Sequence, residues 1–299
     1  MQLIDFDNIS LEPLRYSGVK NDEVEFFVLR IDKTHDEISG NKWFKLRYYI
    51  DDAIAQGKKT IVTYGGAWSN HLLAAAAFCQ SKKLSAIGIV RGEKPAHLSY
   101  TLNRVTELGM KLFFVSRTDY EKKIMPADIV TILDDAYVID EGGHGEKGMQ
   151  GAATISEYFN QKEFSHICCA VGTGTMMAGL IKAALLQQKV IGFSVLKNNF
   201  SIHDEIENLL RCKTTGYHEI IHGYHFGGYA KKDATLINFM NSLYAESKIP
   251  TDFVYTGKLF YGVFDLAANN FFAPGSRVLL IHSGGLQGNN SLPEGTLIF

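Results

Sequence analysis

One repeated unit constrains this chain more than anything else in it. A short β-rich apolar run ends in a turn of small residues, and a helical stretch follows. "TIVTYGG" (60–66) precedes the alanine-rich "SNHLLAAAAFCQSKKL". "SAIGIVRG" (85–92) precedes "LSYTLNRVTELG" (98–109), and "KLFFVS" follows. "AYVIDEGG" (136–143) precedes "GMQGAATISEYFNQ" (148–161). "HICCAVGTGT" leads into "MMAGLIKAALLQ", then "KVIGFSVL", and "RVLLIHSGG" (277–285) closes the series. Strands joined by helical crossovers pair in parallel and carry helices on both faces. The predicted fold class is therefore α/β, with mainly parallel twisted sheets flanked by helices. No repeat, low-complexity tract or linker interrupts the rhythm. With only 6 prolines and no Ser/Gly-rich stretch, a second domain is expected to pack closely.

The same unit directs attention to the strand ends. In open α/β sheets ligands bind beyond the carboxyl ends of strands. Four of those ends are rich in glycine: "TYGGAWSN", "DEGGHGEKG", "VGTGTMMAG" and "IHSGG". One such turn is ordinary; four in one chain predict a shared crevice. Composition removes other classes. A formal net charge of −2 gives no argument for nucleic acid or an anionic membrane as the main partner. No apolar run reaches the roughly 18 residues of a spanning helix. The start "MQLIDFDNISLEPL" lacks the basic and apolar segments of a signal peptide. Cys79, Cys168, Cys169 and Cys212 form no C-x-x-C pair and read as reduced thiols of a cytoplasmic protein.

Three segments are candidates for chemistry. In "AVGTGTMMAG" (170–179), Gly172 and Gly174 let the backbone approach a ligand. The N–H groups of 172–176 and the new helix's positive end suit a phosphate, with Thr173 and Thr175 adding hydroxyls. The pattern is neither a P-loop nor a full dinucleotide fingerprint, so a single phosphate on a small cofactor fits it better. An unliganded strand–helix turn is the plain alternative. In "YGGAWSNH", Ser69 reads as a helix N-cap, and Asn70 as a donor to a ring oxygen or carboxylate. In "SGNKWFKLRYY" (39–49), a helix starting near Lys42 gathers Trp43, Leu46, Tyr49, Ile50, Ala53 and Ile54 on one face. Lys42 falls at the edge of that face and Lys45 on the solvent side. A helix N-terminus and apolar surroundings disfavour the ammonium form, which poises Lys42 for Schiff-base chemistry. Two surface lysines remain the plain alternative here. "HEIIH" (218–222) matches the zinc-hydrolase signature, but flanking glycines and β-branched residues predict a strand. There His218 and His222 stand about 13 Å apart, so no metal site is expected.

In order along the chain, "GNKWFKL", "YGGAWSNH", "EGGHGEKGMQG", "VGTGTMMAGL", "VYTGKLFYGVFDL" and "IHSGGLQG" resemble the 1-aminocyclopropane-1-carboxylate deaminase / D-cysteine desulfhydrase family. These are tryptophan-synthase-β-like, fold type II pyridoxal-phosphate enzymes. The resemblance implies pyridoxal 5'-phosphate as cofactor. It implies a large cofactor-binding domain of 1–45 with 157–299, a small domain of 46–156, and a homodimer. By resemblance Lys42 carries the cofactor. Ser69 contacts the substrate carboxylate or relays protons. Asn70 meets the cofactor's 3′-oxygen, and 172–176 form the phosphate cup. Tyr229 and Tyr255 match two active-site tyrosines. Ring-opening deaminases of the family carry a glutamate after the second tyrosine and a leucine in the final H-x-G-G. Thr256 and Ser283 stand at those positions, which is the desulfhydrase-like pattern. The expected reaction is β-elimination from a small amino acid, D-cysteine first, giving pyruvate, ammonia and sulfide. Ring-opening deamination to 2-oxobutyrate and a cofactor-binding protein with little catalysis are the alternatives; a zinc hydrolase is disfavoured.

Overall fold

A computed structural model of the chain describes residues 4–19, 23–211 and 217–299, so Cys212 lies outside the described residues. The strands are β1 (Leu11–Leu14), β2 (Glu25–Leu29), β3 (Thr60–Gly65), β4 (Ser85–Arg91), β5 (Lys111–Val115), β6 (Ala136–Ile139), β7 (His166–Val171), β8 (Lys189–Ser194), β9 (His218–Ile221) and β10 (Arg277–Ile281). The helices are α1 (Asn41–Ala55), α2 (Asn70–Lys82), α3 (Tyr100–Glu107), α4 (Arg117–Glu121), α5 (Ala127–Val130), α6 (Glu146–Ala153), α7 (Thr175–Ala183), α8 (Ile202–Leu210), α9 (Ala234–Ser247) and α10 (Thr256–Ala268).

Two sheets form, in the orders β1-β2-β10-β7-β8-β9 and β5-β4-β3-β6. Every neighbouring pair runs parallel except β1 with β2. All the strands expected from the sequence are present, and "HEII" is a strand as its context predicts. The expected helix 148–161 stops at Ala153 and continues as a 3₁₀ turn through Tyr158. β1 and β2 have no counterpart in the sequence reading. Pro13 lies in β1, and an antiparallel edge is where a sheet tolerates proline.

Side-chain alternation explains why the parallel strands are apolar throughout. In β7, Cys168 and Ala170 enter the core under α9 and α10, whereas Ile167, Cys169 and Val171 enter the opposite core. Val278 and Leu280 of β10 alternate with Leu279 and Ile281 in the same way. In the four-stranded sheet, Ala86 and Val90 of β4 pack with α1, α2 and α3, while Ile87 and Ile89 face the other side. Each sheet is thus covered on both faces, and its strands bury side chains in both directions.

The border expected at 45/46 falls inside α1. Phe44 packs into the core of the six-stranded sheet, and Leu46, Tyr49, Ile50 and Ala53 into that of the four-stranded one. Ile54, expected on the buried face, is 46% exposed.

Candidate active site

The carboxyl ends of strands from both sheets open onto one cavity of about 270 Å³. β3, β4 and β6 bring the turn at 66–71, Arg91, and Glu141 with Gly142. β7, β8 and β10 bring 170–174, Leu196, and Ser283 with Gly284. The first turn of α1 adds Asn41, Lys42 and Lys45, and Tyr229 and Tyr255 close one wall. The shared crevice expected from the glycine turns is therefore present.

Gly40 sets the position of α1. Its φ is +63°, and a Cβ there would lie 2.0 Å from the Ser283 carbonyl oxygen. That carbonyl accepts the Asn41 N–H at 3.2 Å, so the helix start is fastened to the turn after β10. Lys42 consequently faces the cavity. Its amine donates to Asn41 Oδ1 at 2.7 Å and lies 5.9 Å from the centre of the Tyr255 ring. Burial pulls its pKa down to about 8, against the opposing pull of the Asp252 carboxylate.

Lys45 is not on a solvent side. It is 5% exposed and lines the same cavity. Its amine donates to the Gly142 carbonyl at 3.2 Å and reaches Thr173 Oγ1 at 3.5 Å. The helical wheel failed because α1 is covered on a second side. Gly151 of α6 lies so close that a Cβ on it would meet the Phe44 carbonyl at 1.8 Å. Burial first, and then the Lys42 charge, hold the Lys45 amine well below the usual lysine range.

Of the expected phosphate loop 172–176, Gly172, Thr173, Gly174 and Met176 line the cavity, and Gly174 is the left-handed N-cap of α7. Thr175 does not line it. Fully buried, it bonds Thr173 Oγ1 at 3.1 Å and His144 Nδ1 at 3.2 Å. Ser69 lines the cavity and is also the N-cap of α2, accepting the Leu72 N–H at 3.2 Å. Asn70 lines it too, and its buried Oδ1 has no partner.

The rings of Tyr229 and Tyr255 meet edge to face at 6.1 Å. Burial raises both phenols above the usual tyrosine range, Tyr255 well above it. Thr256, the other hydroxyl expected at the cofactor, does not line the cavity. Its Oγ1 donates to Asp252 Oδ1 at 2.7 Å and accepts the Asp252 N–H at 2.7 Å. Ser283 does line it.

Several functional positions were not singled out from the sequence. His71 is buried and lines the cavity, and only one of its ring nitrogens has a partner. Thr63 gives its one hydroxyl proton to the Ile139 carbonyl at 2.7 Å, so His71 Nε2–H donates to Thr63 at 2.7 Å. Nδ1 is left as a buried acceptor without a partner. Burial and the two lysine charges push His71 down to about 3, so the ring is neutral. Asp252 accepts the N–H groups of Val254, Tyr255 and Thr256 and thereby shapes the turn that presents Tyr255. An aspartate just ahead of a helix, in "TDFVYTG", is the signal that could have found it. Arg91 and Glu141 also line the cavity.

A buried amine, a glycine turn at a helix N-terminus and an orphaned amide oxygen fit a small phosphorylated aldehyde cofactor. Two helix-covered sheets with that cleft between their strand ends define the class of a lysine-bearing α/β cofactor enzyme of fold type II. The chain belongs to the pyridoxal-phosphate dependent enzyme family, which matches residues 12–284. It is 28% identical over 293 residues to the bifunctional D-cysteine desulfhydrase/1-aminocyclopropane-1-carboxylate deaminase of Arabidopsis thaliana, covering 88% of this chain and 73% of that protein. It is 24% identical to a D-cysteine desulfhydrase of Klebsiella pneumoniae, covering 91% of each. A crystal structure of an ACC deaminase homologue shares the fold with a TM-score of 0.80 at 24% identity, over 97% of this chain and 92% of that one.

Proposed function

We propose that this chain breaks down a small amino acid by pyridoxal-phosphate-dependent β-elimination, with D-cysteine the first choice and Lys42 the residue that carries the cofactor. The observation that supports this most is the Lys42 amine, held at about 8 beside a glycine loop built for a phosphate. The names of the relatives support the substrate class. Bound to an amine, pyridoxal phosphate supplies an electron sink that weakens the bonds to the adjacent carbon.

Each side chain has a task that follows from its place. The N–H groups of 172–174, Thr173 and the Lys45 amine hold the phosphate, with Thr175 supporting Thr173 from beneath. Asn70 orients the ring through its side-chain amide. Neutral His71 keeps a third positive charge away from the two lysines. Lys42 or Ser69 takes the α-proton. Tyr229 and Tyr255, held neutral, line the wall where they can donate hydrogen bonds to the leaving sulfur, and the proton that Lys42 takes from the α-carbon balances the thiolate's charge. With water, the balanced outcome is pyruvate, ammonium and hydrogen sulfide.

The same reading divides the chain into a large part, 1–45 with 157–299, and a small part, 46–156. It is supported by the strands, since all of the four-stranded sheet falls in the second segment and all of the six-stranded sheet in the first. Cytoplasmic location is supported by the buried free thiols Cys79, Cys168 and Cys169, and among the described residues no helix is long and apolar enough to cross a membrane. The homodimer rests on the resemblance, and light scattering tests it.

Ring-opening deamination is the second reading, carried by the bifunctional relative. Against it stands Ser283, a small hydroxyl residue on the cavity wall. Sulfide and pyruvate released from D-cysteine faster than 2-oxobutyrate from 1-aminocyclopropane-1-carboxylate is the expected result. The reverse order of rates would overturn it.

A further inference from the structure

The reaction cavity has a cationic wall that breakdown of free cysteine does not need. Arg91 ends β4 and lines that cavity, and it also lines a second cleft of about 540 Å³ with Glu93, Phe114 and Arg117. It is the one residue common to the two linings. Its guanidinium lies 5.7 Å from the centre of the Tyr120 ring. Among the described residues neither Arg91 nor Arg117 forms an ion pair. Two carboxylates share these linings without pairing with either arginine, Glu141 in the inner cavity, where it acts on Tyr120 together with Arg91, and Glu93 in the outer cleft. A substituent that reaches the Arg91 wall of the inner cavity therefore meets an unpaired guanidinium, and the cleft on the other side of Arg91 adds a second in Arg117. That fork matches carboxylate, sulfonate and phosphate oxygens.

We propose that the substrate is an amino acid whose β-substituent ends in an anionic group, received by Arg91 with Arg117 further out. The proposal rests on the reading that β-elimination takes place in this cavity. For a thioether substrate the Cα–H proton is removed and the Cβ–S bond breaks with its electron pair on sulfur. The thiolate takes a proton, and the remaining three carbons with water give pyruvate and ammonium. No oxidant or reductant is consumed.

The test uses the holoenzyme and both enantiomers of three cysteines that share a thiolate leaving group: S-carboxymethyl, S-ethyl and S-(2-aminoethyl). Pyruvate release should show kcat/KM at least about tenfold higher for the carboxymethyl than for the ethyl compound, the scale of one charge-assisted hydrogen bond. That ratio should fall toward one in Arg91→Met and fall less in Arg117→Met. If Arg91→Met does not fold, Arg91→Lys, which keeps the charge and loses the fork, should lower the ratio instead. Equal rates for the three in wild type, or a preference for the aminoethyl compound, would overturn the proposal while leaving elimination in place. Absence of pyruvate from all three and from cysteine would overturn elimination as well.

Discussion

At the scale of single residues, Gly40 and Lys42 are coupled. Gly40→Ala places a Cβ against the Ser283 carbonyl and forces a side chain onto a φ of +63°. It should cost about 2 kcal/mol or more of stability in denaturant unfolding. A loss under about 0.5 kcal/mol, the range of an ordinary surface change, would contradict the packing described. Lys42 predicts a pH dependence whose sign is fixed. Only the neutral amine can attack the aldehyde, and burial lowers its pKa to about 8. Capture of pyridoxal phosphate by the apoprotein should therefore accelerate as pH rises through about 8. A midpoint near the ordinary lysine value of about 10.4 would contradict it. The lysines also show where residue-level reading succeeds and fails. Lys42 was legible because the first apolar face of α1 points at it. Lys45 was not, because α6 and the 141–143 turn cover α1 from a direction that the helix's own periodicity does not record.

At the scale of elements, α10 and the turn before Tyr229 are joined by a buried cation. Lys258 is fully buried, and its amine donates to the carbonyls of His225 at 2.8 Å and Gly228 at 2.7 Å. The turn it holds is strained, with Phe226 at φ +50° and Ala230 at φ +53°. Lys258→Met removes both side-chain donations, so the His225 and Gly228 carbonyls keep only the N–H groups of Gly228 and Lys231, and the turn before Tyr229 loses its tie to α10. We expect a stability loss of about 1–3 kcal/mol and a clear drop in kcat, with the visible absorbance of the bound cofactor retained. A wild-type kcat in that variant would show that the clasp does not position Tyr229. Strands buried on both faces were legible as continuous apolar runs, which is why β3, β4, β7, β8 and β10 could be placed. α10 was recognised only as a motif, since "TGKLFYGVFDLAA" is rich in glycine and aromatic residues of modest helix propensity. Thr256 was misplaced for a related reason. Nothing local tells whether a hydroxyl at a helix start faces a ligand or the aspartate of its own cap.

At the scale of the whole molecule, the site belongs to neither sheet alone. The lysines lie on a helix that packs into both cores, Ser69 and Asn70 follow a strand of the smaller sheet, and the glycine loop 172–174 follows a strand of the larger. A cofactor held there ties the two together. Adding pyridoxal phosphate at about a hundred times its Kd should stabilise the protein by about 2.7 kcal/mol and raise its Tm. An unchanged Tm would mean that the folded protein does not bind the cofactor. The crevice as a whole was legible because glycine-rich turns follow several strands, and parallel pairing puts all those ends on one side. The placing of Arg91 and Arg117 on one cleft was not, because they lie 26 positions apart and only the pairing of β4 with β5 makes them neighbours. The central claim, that Lys42 carries the cofactor and Lys45 holds its phosphate, is tested most directly by the visible spectrum of three proteins after addition of pyridoxal phosphate. Wild type and Lys45→Ala should show the absorbance of lysine-bound cofactor, Lys45→Ala only at higher cofactor concentration, and Lys42→Ala should show none. Absorbance that survives in Lys42→Ala and vanishes in Lys45→Ala would contradict the assignment.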